Sequence, residues 1–285
     1  MKIRSLKEED FGEILTWRND KYSRKMCLQE EKISLEEHEN WLKNSLDNPN
    51  IDFFLGEFNG DKLGIVRFDL DENKKFSEIS INMNPDMRSK GFGKKLLKKA
   101  IKNYLERKKV NLNAKVKKIN NISLNLFLKV GFLIIDKNDH LIFMEYMKKL
   151  YFKEIDNSNT NVLYELLKQR RYLISHKKMP SYQDHIAFVQ SHPYLNWYIV
   201  SHNEHNLGTF YIKKDNSIGL NLVFPCELLV KEVLNFILLN FQPQKELKSQ
   251  TPPYFYVNVA EGNKTLMGIL TDLKFEAIQV SFKLN

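Results

Sequence analysis

The sequence predicts an α/β (α+β) protein of two tandem domains, each a mixed, mostly antiparallel central sheet flanked by helices. Three observations carry that reading. The chain has 285 residues, about twice a common domain length. Its second half repeats landmarks of the first. Within the first half, helices near the start give way to a hairpin and then to alternating strands and helices, a layered order.

The repeat is visible residue by residue. Ser34-Leu-Glu-Glu-His38 followed by Trp41-Leu42 returns as Ser181-Tyr-Gln-Asp-His185 followed by Phe188-Val189. Phe53 to Gly64 runs without a gap against Trp197 to Gly208, and Ile79-Ser-Ile-Asn82 matches Ile218-Gly-Leu-Asn221. Asn120 and Phe132 match Asn263 and Phe275, twelve residues apart in both halves. The offsets of 147, 144, 139 and 143 drift only as loop insertions would make them. The expected domains are therefore residues 1–149 and 150–285.

In order along the first half, residues 8–19 read as a helix ending near Trp17-Arg18-Asn19. Residues 34–46 read as an amphipathic helix with Ser34 as N-cap and Glu37 at the capping-box position. Strands over 52–58 and 63–70 flank Asn59-Gly60, a strong hairpin-turn signal. Ser77 to Asn84 alternates, with Ile79, Ile81 and Met83 on one face and Glu78, Ser80 and Asn82 on the other. A long helix follows over about 91–106, then a strand over 110–116, a helix over 121–129 and a strand over 140–147.

Composition narrows the class. A 42% hydrophobic chain with 12% aromatics can build a packed core, while 11 Gly and 8 Pro exclude collagen-like and low-complexity classes. Two cysteines, Cys27 and Cys226, cannot make a disulfide framework, which fits a reducing cytoplasm. The first ten residues turn acidic where a secretory signal would be apolar, and no apolar run reaches membrane-spanning length. A cytoplasmic protein without membrane insertion is expected.

Charge is uneven. The net +9 divides into +7 over residues 1–150 and +2 over 151–285, and Arg88 to Lys118 holds thirteen basic residues and one acid, Glu106. Such a run is either a solvated lysine-rich helix face or an electrostatic funnel for a phosphate-bearing ligand. Nucleic acid is not expected, because the run lacks interleaved aromatics and no nucleic-acid-binding motif is present.

Between the alternating strand and the long helix lies Arg88-Ser89-Lys90-Gly91-Phe92-Gly93-Lys94. Glycines at 91 and 93 let backbone N–H groups turn inward at a helix N-terminus, which already favours an anion. A dinucleotide fingerprint would need a third glycine where Leu96 stands, and no Gly-Lys-Ser/Thr closes a Walker loop. By itself the pattern also fits a glycine-containing turn before a surface helix.

Thirty-two residues after Arg88 comes Asn120-Asn-Ile-Ser123-Leu-Asn-Leu-Phe127-Leu-Lys-Val-Gly-Phe132. With the R-x-x-G-x-G loop, this resembles the GNAT superfamily of acyl-CoA N-acyltransferases in order, spacing and strand–loop–helix context. The resemblance implies acetyl-CoA as co-substrate, with no metal. It places the pyrophosphate on Arg88 through Lys94 and the thioester on backbone groups of Met83 and Asn84, where an amide N–H would stabilise the oxyanion. Asn120, Ser123 and Phe127 fall at further coenzyme-binding positions. Glu78 matches the place of a catalytic glutamate in several members, where it would take the proton from the acceptor ammonium; its other reading is an exposed strand glutamate. Family members often carry a tyrosine as general acid where this chain has Phe127, so Ser123, Tyr146 or water would have to substitute.

Trp17-Arg18-Asn19, Lys25-Met26 and Ile33-Ser-Leu-Glu-Glu-His38 are similar to the N-acetyltransferases of pseudaminic acid biosynthesis. Those enzymes acetylate the 4-amino group of a UDP-linked 4-amino-4,6-dideoxy sugar. The resemblance implies a small nucleotide-linked amino sugar as acceptor, with Arg18 and Lys25 on the diphosphate and Trp17 or His38 on a sugar or uracil face. Trp17 and His38 also fit ordinary roles as a core anchor and a buried helix residue. Polyamines, protein N-termini and a non-catalytic binding or scaffold role remain alternatives, and homo-oligomerisation stays open.

The second half lacks the loop. After Asn221 comes Leu-Val-Phe-Pro-Cys-Glu-Leu-Leu229, Gly131 has become Lys274, and Glu78 falls opposite Ser217. Residues 150–285 therefore read as a degenerate GNAT-like domain without the coenzyme A pyrophosphate loop. His202 and His205 fall at a turn without a cysteine or carboxylate pattern, so no metal site is expected.

Overall fold

A computed structural model describes residues 1–172, 178–248, 250–279 and 281. The chain divides into two units, Met1–Tyr146 and Met147–Asn285. In the first, β1 (Lys2–Arg4) leads through a short 3-10 turn into α1 (Phe11–Asn19), α2 (Lys21–Met26) and α3 (Leu35–Asp47). Then come β2 (Ile51–Phe58), β3 (Asp61–Leu70), β4 (Phe76–Met83), α4 (Phe92–Arg107), β5 (Asn111–Lys117), α5 (Asn121–Val130), β6 (Phe132–Lys137) and β7 (Leu141–Tyr146). They form a seven-stranded sheet in the order β1-β2-β3-β4-β5-β7-β6, antiparallel except where β4 meets β5.

Local chemistry explains most boundaries. Ser34 accepts from the Glu37 amide, and Glu37 reaches back to the Ser34 amide, closing the expected capping box of α3. Asn59 and Gly60 both have positive φ (51° and 89°), as a tight hairpin of primed type requires. Three elements go beyond the sequence reading. The edge strands β1 and β6 are short, and α2 has no apolar period; Asp20 starts that helix by accepting from the Ser23 amide.

Two apolar layers sandwich the sheet. On one face α4 buries Leu96, Leu97, Ala100, Ile101 and Tyr104, a spacing that makes one helical stripe. Tyr104 stacks on Phe68 at 4.0 Å and donates to Ser77 Oγ at 2.9 Å. On the other face Phe11, Ile14, Trp17 and Leu42 pack with Phe53, Leu55 and Ile65. The α4 face and the α1–α3 face are thus separated by the thickness of the sheet.

The second unit comprises β8 (Tyr151–Glu154), α6 (Thr160–Lys168), α7 (Tyr182–Ser191), β9 (Asn196–His202), β10 (His205–Ile212), β11 (Ser217–Leu222), α8 (Glu227–Asn240), β12 (Tyr256–Asn258) and α9 (Lys264–Asp272). Among the described residues its five strands run β12-β11-β10-β9-β8, with one parallel pair, β11 and β12. Details recur. Asn120 caps α5 by accepting from Ser123 N at 3.1 Å, and Asn263 caps α9 by accepting from Leu266 N at 3.1 Å. Gly64 pairs with Met83 and Gly208 with Leu222, each glycine at a β-bulge or close to one and each at positive φ (153° and 144°).

A Cβ on Gly208 would lie 2.2 Å from Asn221 O and 2.7 Å from Leu222 Cα, so β10 and β11 would have to separate. Gly208→Ala is expected to lower the stability of the second unit by about 2–3 kcal/mol, combining backbone strain with lost pairing. Denaturant unfolding checks this; an unchanged midpoint would refute the close approach.

Candidate active site

β4 and β5 pair in parallel over only three rungs, Phe76–Asn111, Ser77–Leu112 and Glu78–Asn113. Beyond Glu78 and Asn113 the strands part. β4 continues to Met83 bonded to β3 alone, while β5 continues to Lys117 bonded to β7 alone. The result is a V-shaped gap with Glu78 and Asn113 at its apex, bordered by strand edges whose backbone groups lack a partner strand. Above its open end stands the N-terminus of α4.

That N-terminus is built to face an anion. Gly91, the N-cap residue, has φ 77°, contributes no side-chain cap, and is exposed. No acidic residue occupies the first turn of α4, so its leading amides and positive dipole end meet no local counter-charge. Ser89 has φ 59°, and Ser89, Lys90 and Lys94 are exposed around the turn. Gly93 approaches Leu126 and Met83, and Phe92 packs on Phe58 at 5.3 Å. The loop, helix and gap fit the pyrophosphate and thioester arm of acetyl-CoA.

Several expected contacts need correction. The Arg88 guanidinium is committed to the protein: Nη1 donates to Asp20 Oδ2 at 2.8 Å and Nη2 to Ser23 Oγ at 2.6 Å, tying α2 to the loop. Opposite charges at close range make that a better partner than a solvated phosphate. Asn84 N donates to Leu63 O at 3.0 Å and its side chain clamps Lys62 O and the Asp86 amide, so its N–H is not available to a thioester. Phe127 is 3% exposed and packs edge-on against Phe132, making it a core residue rather than a coenzyme contact. Asn120 is a buried helix cap, and Ser123, whose amide it caps, is half-buried on α5. Tyr146 pairs with Phe132 and packs with the core on the α4 side of the sheet, the face opposite Glu78, so it is not placed to serve as the acid.

The acceptor-side residues also divide. Trp17 is 4% exposed within the α1 core and offers no open face. Asn19 clamps Ile33, accepting from its amide at 2.9 Å and donating to its carbonyl at 2.7 Å, which closes the segment from Asp20 to Ile33. Lys117 fastens that segment to β5 through Glu30 at 2.6 Å and Lys25 O at 3.2 Å, while the Lys25 side chain is exposed on α2. Arg18 donates through Nη2 to Gln29 O at 2.8 Å, but its Nη1 is buried without a hydrogen-bond partner among the described residues. His38 is buried, its Nδ1 likewise has no partner, and burial followed by the nearby Arg18 charge pushes its pKa down, leaving a neutral imidazole.

Four further residues share this face and were not singled out from sequence. Trp41 lies 5.8 Å from His38, and the Arg67 guanidinium sits 4.8 Å over the Trp41 ring. Arg67 pairs with Asp69, and its Nε is buried without a partner, as is Asn113 Oδ1. The Glu78 side chain is 37% exposed, and Lys115 Nζ lies 2.7 Å from its Oε2. The signal was present: Arg67 and Asp69 interrupt the apolar run from Leu63 to Leu70 at alternate positions, on one face.

Residues 11–132 match the model of the acetyltransferase (GNAT) family, spanning the layout from α1 to the start of β6. The first unit, which holds that match, is an acetyl-CoA-dependent N-acyltransferase. Acetyl-CoA is its co-substrate, and it transfers acetyl to an amine. Among solved structures, the chain is similar to spermidine N-acetyltransferase from Vibrio cholerae in complex with CoA and spermine (16% identity, 50% of this chain and 93% of that one, TM-score 0.46). It is also similar to the Campylobacter jejuni N-acetyltransferase PseH in complex with acetyl coenzyme A (25%, 52% and 99%, TM-score 0.42). A third is ribosomal-protein-alanine N-acetyltransferase from Brucella melitensis (25%, 51% and 98%, TM-score 0.44). No curated protein matches the chain. Among the described residues, no helix is long and apolar enough to cross a membrane, and no group of three or more His, Cys, Asp or Glu could hold a metal ion.

Proposed function

We propose that the GNAT unit acetylates the amino group of a nucleotide-linked amino sugar, as in bacterial nonulosonic acid or surface-glycan assembly. The observation that carries this is the set of buried, unpartnered polar atoms on the acceptor face: Arg18 Nη1, Arg67 Nε and His38 Nδ1. Buried donors without partners are costly, and an oxygen-rich, anionic ligand would satisfy them. Trp41, 39% exposed, supplies the aromatic wall that a sugar or uracil ring would use. A polyamine would instead have to meet two guanidinium groups there. The acidic pair Asp69 and Glu78 is the feature that favours such a cation, and Arg67 and Lys115 already neutralise it.

In this reading the leading amides of α4, with Ser89, Lys90, Gly91, Phe92, Gly93 and Lys94, hold the pyrophosphate. The free edge of β4 up to Met83 holds the pantetheine arm. Acetyl-CoA supplies an activated acetyl group; Glu78, at the apex of the gap, receives the proton that the acceptor ammonium must lose. The second unit is a degenerate copy. Its α8 begins with Cys226, which makes no side-chain cap, and carries Glu227 in the first turn, which repels an anion where α4 would attract one.

Thiol release from acetyl-CoA with UDP-4-amino-4,6-dideoxy-N-acetyl-altrosamine as acceptor tests the assignment. Saturable turnover is expected. Turnover with spermidine or an alanine-terminated peptide, and none with the sugar nucleotide, would overturn it.

The loop has its own test in Gly91→Asp. A side chain there points into open space, and Asp tolerates positive φ better than most residues. As an N-cap it would satisfy the α4 amides internally while setting a negative charge against the pyrophosphate. The expected result is a Tm lowered slightly by the positive φ, with acetyl-CoA binding weakened about thirtyfold or more, about 2 kcal/mol. Calorimetry returning wild-type affinity would remove the loop assignment.

A further inference from the structure

The most unusual chemistry on the acceptor face is a row of charged groups crossing three strands at the apex of the gap. Asp69 on β3 is paired directly with Glu78 on β4, and Glu78 with Asn113 on β5. Side chains of directly opposed residues share a face, with Cβ atoms about 5 Å apart in an antiparallel pair. Both carboxylates therefore lie at the last rung before β4 and β5 part, where the thioester arm would end.

The two are similarly exposed but have different counter-ions. Glu78 is half-exposed and answers Lys115. Asp69 answers Arg67, which is fixed from the other side by the rings of Trp41 at 4.8 Å and Phe53 at 5.9 Å. Burial, the largest influence, pushes the Asp69 carboxyl above its ordinary range; Arg67 pulls it back, and the neighbouring Glu78 charge adds to the rise. Beside them Asn113 Oδ1 is a buried acceptor that receives no hydrogen bond among the described residues. Two carboxylates and a free amide oxygen match the three N–H donors of an ammonium group.

We infer that Asp69 acts with Glu78 as a carboxylate pair that takes the proton from the acceptor ammonium. The inference rests on reading the unit as acetylating an amine. One N–H bond of the ammonium breaks, its proton passes to an oxygen of the pair, and nitrogen keeps the electron pair. That electron pair forms the bond to the acetyl carbon as the carbon–sulfur bond breaks. The departing sulfur takes the second nitrogen proton, and the pair releases the first to solvent. Ammonium and thioester become amide, thiol and one free proton. Arg67 is a positioning residue: it orients Asp69 and balances its charge between turnovers.

The test is a double-mutant cycle of Asp69→Asn and Glu78→Gln, with the sugar-nucleotide acceptor and acetyl-CoA. Asp69→Asn is expected to lower kcat about a hundredfold or more, with acetyl-CoA affinity within twofold of wild type by calorimetry. The double variant should be no worse than the poorer single variant, because both oxygens serve one proton. Activity of Asp69→Asn within threefold of wild type would overturn the pair, as would losses that multiply in the double variant. If Asp69→Asn does not fold, Arg67→Gln with Asp69→Asn removes both members of the ion pair and leaves no unpaired charge; it should show the same loss, and near-wild-type kcat would again refute the pair. A wild-type protein inert toward the sugar nucleotide, spermidine and an alanine-terminated peptide would overturn the amine-acetylation reading and the pair with it. An active wild type with an active Asp69→Asn removes only the pair.

Discussion

Glu78→Gln is expected to reduce kcat for acetyl transfer about a thousandfold while the fold and acetyl-CoA binding persist. The substitution keeps the shape of the side chain and removes only its capacity to accept a proton, and positioned acid–base groups typically contribute 10²- to 10⁴-fold, so about a thousandfold is the middle of that range. Stability should change little. The Glu78 side chain is 37% exposed and Lys115 42% exposed, so water can solvate the lysine once its partner is neutral, and exposed ion pairs contribute about 1 kcal/mol at most. Coenzyme binding is insulated as well, since the loop from Ser89 to Lys94 lies at the open end of the gap and Glu78 at its apex. Steady-state rates at saturating acceptor, paired with calorimetry for acetyl-CoA, check both halves. Turnover within threefold of wild type would leave Glu78 as a strand glutamate paired with a lysine.

How much of this could be read from residues alone depends on how local each interaction is. The capping box of Ser34 and Glu37, the Asn59-Gly60 turn and the glycine-initiated α4 are settled within four residues, and the sequence pattern predicts each of them. Commitments made across the fold were not legible. Nothing in Arg88 says that its partners are Asp20 and Ser23, 68 and 65 residues away. Asn19 could be a ligand residue until Ile33 closes on it from 14 residues downstream. Trp17 carries the same side chain whether it lines a pocket or fills one, and only the arrival of Leu42 and Ile65 decides for the core. The three-rung pairing of β4 with β5 is likewise a property of the whole sheet. Arg67 and Asp69 are the opposite case, since two charges at alternate positions in the apolar run from Leu63 to Leu70 are a local signal of a functional face.

The same logic identifies where the first unit should be most sensitive. Asp10 is 0% exposed and collects four donors: Arg4 Nη1 at 2.7 Å, Arg4 Nη2 at 2.8 Å, the Lys7 amide at 2.9 Å and Lys62 Nζ at 2.9 Å. It thereby joins β1, the turn before α1, and the start of β3. Asp10→Ala is expected to destabilise the first unit by about 3 kcal/mol, because it empties a buried site and takes from Arg4 and Lys62, each about three-quarters buried, one of their two carboxylate partners, with Glu57 and Glu13 remaining. Burial, the largest single influence, would raise the Asp10 pKa, but the hydrogen bonds from Arg4, Lys62 and the Lys7 amide outweigh it and hold the carboxyl well below the usual carboxylate range. A depressed folded-state pKa means that the stabilisation is fully present above the unfolded value of about 4 and fades as pH falls through the folded one. The deficit of Asp10→Asn against wild type should therefore be constant above about pH 5 and shrink progressively below about pH 4. Urea unfolding of both proteins from pH 7 to pH 3 measures it. A deficit that stays level to pH 3 would mean that the charge of Asp10 contributes nothing, and that the turn is held by shape and hydrogen bonding alone.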